Sequence, residues 1–139
     1  MEQENKIVLD IVRPFGPSIL KTKLTEELLK DLNQDCLDII EKKKEKRDWS
    51  DQLAGRVEEE FHISQDTLIK HASWFNAVTG RYLFPSDKDY KEQKDSFKVG
   101  IASGWYVRQF AGDFNPYHYH TGCNISCVGY LKMPDDINE

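Results

Sequence analysis

Residues 105–131 read WYVRQFAGDFNPYHYHTGCNISCVGYL, and the fold expected of the whole chain turns on how this stretch is understood. Its first part, Trp105-Tyr106-Val107-Arg108-Gln109-Phe110, is aromatic and β-branched, as extended chain is. Its last part, Ile125 to Leu131, has the same texture and stops at Pro134. Between them Gly112, Asn115, Pro116 and Gly122 mark a polar loop. Immediately upstream, Phe97, Val99 and Ile101 alternate before Gly104. The region from Phe97 onward therefore predicts strands at 97–101, 105–110 and 125–131, pairing antiparallel.

Further towards the N-terminus the period changes. Leu24, Leu28, Leu32, Cys36, Ile39 and Ile40 recur at steps of three and four, which predicts one apolar helix face. Thr25, followed by Glu26 and Glu27, offers a capping hydroxyl and negative charge at the helix N-terminus. The run EKKKEKRD (41–48) reads as the helix end or its solvated continuation. A second helix is predicted from Ser64 to Thr79. Leu68, Ile69, Ala72, Phe75 and Val78 share its face, Ser64 caps its start and Gly80 its end, while His71 and Trp74 pack in or near the core. PSDKDYKEQK (85–94) reads as a loop or a short exposed helix. Ahead of all these, Ile7–Val12 predicts a strand closed by Pro14, Gly16 and Pro17, with a second extended piece at Ser18–Lys21. Helices first and strands later give an α+β class with an antiparallel sheet. The organisation expected is a single domain, with a helix-and-strand region at 1–95 and a β-rich region at 96–139.

Composition narrows the function. The chain has 139 residues, with 19 Lys+Arg against 24 Asp+Glu and a net charge of −5, a poor basis for neutralising phosphates. Nucleic acid is therefore not an expected partner. No apolar run approaches the roughly 20 residues that cross a membrane, and MEQENKIVLD lacks the basic-then-apolar order of a signal peptide. Three cysteines, Cys36, Cys123 and Cys127, suit a reducing compartment better than a disulfide framework. The expected location is cytoplasmic.

The densest chemistry lies in the loop, where His118 and His120 stand two residues apart. In extended chain the side-chain period is two, so both imidazoles project to one side and form a ready pair of ligands for a divalent transition metal. Adding Cys123 and Cys127 would complete a four-ligand N/S set of the zinc type. The Cys-x3-Cys spacing across a strand start argues against that, and Cys127 reads more simply as a small core residue.

Trp105–Phe110, Asn115-Pro116-x-His118-x-His120-Thr121-Gly122 and Ile125-Ser126-x-Val128-Gly129-Tyr130-Leu131-Lys132-x-Pro134 resemble the 2-oxoglutarate/Fe(II)-dependent oxygenases common in bacteriophages and marine bacteria. Phe15-Gly16-Pro17-Ser18-Ile19, Leu53-Ala54-Gly55 and Glu59-Glu60-Phe61 resemble the N-terminal half of the same proteins, so the likeness covers nearly the whole chain. More distantly the region is similar to prolyl-hydroxylase-type enzymes. The resemblance implies a double-stranded β-helix, a jelly-roll-like barrel with N-terminal helices packed on it, and a hydroxylase using Fe(II), 2-oxoglutarate and O2. It implies that His118 is an iron ligand and that Tyr130 contacts 2-oxoglutarate. His120 stands where the wider superfamily has an acidic ligand, and so is either a ligand or a neighbour that orients one.

That family also carries a later metal-binding His and a later Arg that pairs with the cosubstrate. Here no histidine follows His120 and no arginine follows Arg108. The resemblance thus implies a C-terminally incomplete oxygenase, inactive or weak alone, with strand edges left for self-association or for a complementary C-terminal half. If phage-encoded, its place is the host cytoplasm. The reading from a different class is a non-catalytic zinc-binding or interaction module. The substrate is not legible.

Overall fold

The computed structural model describes residues 9–12, 16–41, 57 and 59–134. The chain begins with a hairpin in which β1 (Leu9–Val12) pairs antiparallel with β2 (Ile19–Thr22), Leu9 opposite Thr22 and Val12 opposite Ile19. Gly16, between them, sits at φ +130°, a conformation open to glycine and costly for residues with a Cβ. Of the expected strand Ile7–Val12 the first two residues lie outside the described set, as does Pro14.

α1 spans Glu26–Ile40. Its start follows the sequence reading: the Thr25 hydroxyl accepts from the Leu28 N–H at 3.2 Å, and Glu26 and Glu27 occupy the positive end of the helix dipole. The basic run that follows lies outside the described residues. The buried face of α1 carries Leu28, Leu32 and Ile39, which pack with Phe61 and Tyr106 as the core. Burial of such side chains contributes about 1.5–3 kcal/mol each.

Phe61 and Tyr106 come from the second sheet. There β3 (Glu59–His62) pairs antiparallel with β4 (Trp105–Arg108), Phe61 opposite Tyr106 and His62 opposite Trp105. Because side chains alternate along a strand, Tyr106 enters the core while Trp105 and Val107 occupy the other face of the sheet. The class is α+β, with two small antiparallel sheets and four helices among the described residues. These residues show no double-stranded β-helix.

The predicted helix over 64–79 is two helices, α2 (Gln65–Lys70) and α3 (Ala72–Leu83). The break falls at His71, whose buried ring reaches back to α1. Gly80 lies inside α3 and is no cap. A Cβ there would stand 2.5 Å from Phe97 and 2.8 Å from Tyr90, so the glycine is what lets these rings approach the helix. Ile69 is exposed and does not share the buried face expected of it. The polar stretch after Pro85 forms α4 (Asp87–Gln93), capped by the Ser86 hydroxyl, which accepts from the Asp89 N–H.

Two expected strands do not form. Residues 97–101 and 125–131 have no strand ladder, and most of 125–131 is exposed. Their alternation is that of strands, but alternation supplies only one face; a ladder also needs a neighbouring backbone in register, and among the described residues neither segment is paired with one.

Candidate functional site

The loop carrying the histidines leaves β4 through a turn. The Asp113 N–H donates to the Phe110 carbonyl at 3.0 Å, the Phe110 N–H donates to the Asp113 carboxylate at 2.9 Å, and Gly112 takes φ +93°. A second glycine at positive φ, Gly122, turns the chain after the motif. Residues 115–120 are not a strand, yet the imidazoles of His118 and His120 are neighbours, their ring centres 4.9 Å apart and their planes at 87°.

Each ring has a distinct attachment. His118 Nδ1 lies 2.8 Å from the Pro116 carbonyl oxygen. A carbonyl only accepts, so Nδ1 carries the proton, and in the neutral ring Nε2 keeps its lone pair. His120 is half-buried and meets the indole of Trp105, centres 5.5 Å apart. The loop thus rests on the face of β4 turned away from the core.

Two imidazoles on one ion, with metal–nitrogen bonds of about 2.1 Å, have ring centres about 4.5–5.2 Å apart for bond angles between octahedral and tetrahedral. The observed 4.9 Å falls in that interval. That separation admits two adjacent nitrogen donors, as it also admits an edge-to-face ring contact. Among the described residues no group of three or more His, Cys, Asp or Glu side chains gathers to hold a metal. The four-ligand zinc set of His118, His120, Cys123 and Cys127 is accordingly not assembled. Cys123 directs its thiol to the His120 carbonyl at 3.9 Å, and Cys127, expected in the core, is exposed. Tyr130 is also exposed, with no hydrogen bond or ring contact to either histidine among the described residues.

A second polar cluster joins α1 to the rest of the fold, and its two carboxylates were not singled out by the sequence reading. Asp35 is 2% exposed. It accepts from the Ser64 N–H at 3.0 Å, the Ser64 hydroxyl at 2.5 Å and the Tyr106 hydroxyl at 2.9 Å. Ser64, expected to cap α2 with its side chain, gives its hydroxyl to Asp35 instead. Burial, reinforced by the Asp35 charge, holds the Tyr106 phenol protonated far above its ordinary range. One turn earlier, Asp31 receives Lys70 Nζ and His71 Nε2, each at 2.6 Å, while Lys70 also meets Glu27 at 3.1 Å. Hydrogen bonds from Lys70 and then His71 lower the Asp31 pKa. The signal for this cluster was the spacing Leu28, Leu32, Asp35, Ile39, which sets a carboxylate into an apolar stripe. Its geometry is that of a polar clamp between α1, α2 and the second sheet.

No family model matches the chain, and no curated protein or solved structure was found to match it. No helix among the described residues is long and apolar enough to cross a membrane.

Proposed function

We propose that this chain is an Fe(II)/2-oxoglutarate-dependent oxygenase of the hydroxylase type, with His118 and His120 as its iron-binding pair and Tyr130 at the 2-oxoglutarate. The observation carrying this reading is the juxtaposition of the two imidazoles within Asn115-Pro116-x-His118-x-His120-Thr121-Gly122. Bound Fe(II), 2-oxoglutarate and O2 would supply oxidative decarboxylation coupled to hydroxylation of a C–H bond. The protein's part is to hold and orient. The Pro116 carbonyl fixes the His118 tautomer, leaving Nε2 as donor. The phenol of Tyr130 has a donor hydroxyl suited to a carboxylate oxygen. In this reading β3 and β4 belong to a jelly-roll-like double-stranded β-helix, whose other strands pair with a second copy or with a complementary segment.

The loop offers two nitrogen donors, so binding of metal and 2-oxoglutarate is the first property this reading predicts. Anaerobic titration with Fe(II) and 2-oxoglutarate tests this. The native chain should bind both at one equivalent, with the visible absorption of an iron-bound 2-oxo acid, and His118→Ala should abolish it. Binding no better than the variant's would end the oxygenase reading. Zinc bound at one equivalent, lost in Cys123→Ser/Cys127→Ser and indifferent to His118→Ala, would replace it with the zinc-module reading.

A further inference from the structure

We infer that Trp105 is a positioning residue for His120, using the second sheet to hold one imidazole of the pair in place. The inference rests on the proposed metal-binding role of the pair for its consequence, but on geometry for its substance. Trp105 belongs to β4, whose pairing with β3 sets it opposite His62. Its indole is half-buried and lies on the face away from the core, where the loop passes. Within Asn115–His120 the exposure is uneven: Tyr117, His118 and Tyr119 are exposed, whereas His120 is half-buried. The indole contact at 5.5 Å and 57° is what His120 rests on, and the His118 and His120 ring planes stand at 87° to one another.

The two histidines are thus fixed by different devices. His118 is held by its own loop, through a hydrogen bond to a carbonyl two residues back. His120 is held by a ring contact to a strand and depends on β4 being formed. An imidazole without such a support samples several rotamers, and ordering it on metal binding costs affinity. An aromatic platform restricts those rotamers beforehand, as outer groups that orient metal ligands do, and loss of such groups typically weakens binding 10–100-fold.

The test separates the contact from the metal. In the metal-free chain, the imidazole ring protons of His120 should be shifted upfield by the indole ring current. The shift should collapse in Trp105→Leu and persist in part in Trp105→Phe. Unchanged His120 signals in Trp105→Leu would overturn the inference, whatever the pair binds. Ni(II), used as a probe of paired imidazoles, should bind Trp105→Leu about tenfold more weakly than the native chain and Trp105→Phe within about threefold. Native affinity in Trp105→Leu would also overturn it. Should Trp105→Leu fail to fold, Ni(II) quenching of the native chain's tryptophan fluorescence takes its place. Quenching should fall in Trp105→Phe, and equal quenching in both chains counts against the inference. His118→Ala is the separate control: if it binds Ni(II) as well as the native chain, the metal reading fails, while the ring-current result still decides the role of Trp105.

Discussion

At the scale of single residues, the fold depends on a carboxylate placed where an apolar side chain would be expected. Asp35 occupies the buried stripe of α1 and accepts from two groups of Ser64 and from Tyr106. Asp35→Ala would leave the buried Tyr106 hydroxyl and the part-buried Ser64 N–H without their acceptor, and such a loss costs about 1–3 kcal/mol for a buried group. Urea denaturation should show Asp35→Ala destabilised by about 2–4 kcal/mol, and Ser64→Ala by about half as much. A loss below about 1 kcal/mol for Asp35→Ala would mean the cluster is not a clamp. Asp31 gives a pH dependence of known sign. Its pKa is lowered in the folded chain from the ordinary 3.8 by its bonds with Lys70 and His71. The unfolded state therefore binds the proton first as pH falls. The stabilisation is complete above the unfolded value and is lost as pH drops through the lowered folded one. Asp31→Asn should flatten the acid limb of a stability–pH curve below about pH 4. In the sequence Asp35 is marked only by its place in the apolar stripe and Asp31 not at all, because a charge on a helix is ordinarily solvated and the tertiary partners show otherwise.

At the scale of elements, local signals were enough where the element satisfies itself. α1 was legible from its spacing and its Thr25 cap, because every helical hydrogen bond closes within the segment. The region 64–83 was legible as helical but not as two helices. Its break falls at His71, whose ring bonds Asp31 forty residues away, and no local pattern records that contact. β3 went unread as a strand because Glu59-Glu60-Phe61-His62 is polar; its pairing with β4, with Arg108 bonded to Glu59 across the register, makes it one. The strands expected at 97–101 and 125–131 show the converse, good patterns without a backbone to pair with. The close packing of α3 yields a further prediction. Gly80→Ala gains about 1 kcal/mol of helix propensity but drives a methyl into Phe97 and Tyr90. Overpacking of that kind costs about 1–3 kcal/mol, so the variant should melt lower than the native chain, and Gly80→Ala/Phe97→Leu should recover part of the loss. A higher melting temperature for Gly80→Ala would show that the rings move aside freely.

At the scale of the whole molecule, one stretch of the chain stands apart by its lack of charge. The chain carries 31% charged residues, yet Phe114 to Leu131 contains no Asp, Glu, Lys or Arg. Tyr117 is fully exposed, Tyr119 82%, Val128 78%, Tyr130 74% and Phe114 56% exposed. These side chains expose apolar surface along one uncharged stretch of chain, the kind of surface through which proteins associate. The motif was legible in the sequence because its chemistry is written in consecutive residues; its exposure was not, because exposure depends on what packs over it. Association through this segment should be driven by apolar contact, without charge. Sedimentation at increasing concentration should therefore show mass rising above the monomer, with association strengthened by sulfate, which favours apolar burial. Val128→Lys/Phe114→Ser should shift the chain towards monomer without lowering its melting temperature, since both positions are exposed. Association that weakens with salt would place the contact on the charged faces instead, and a monomer at every concentration would leave the segment's aromatic side chains to a different partner.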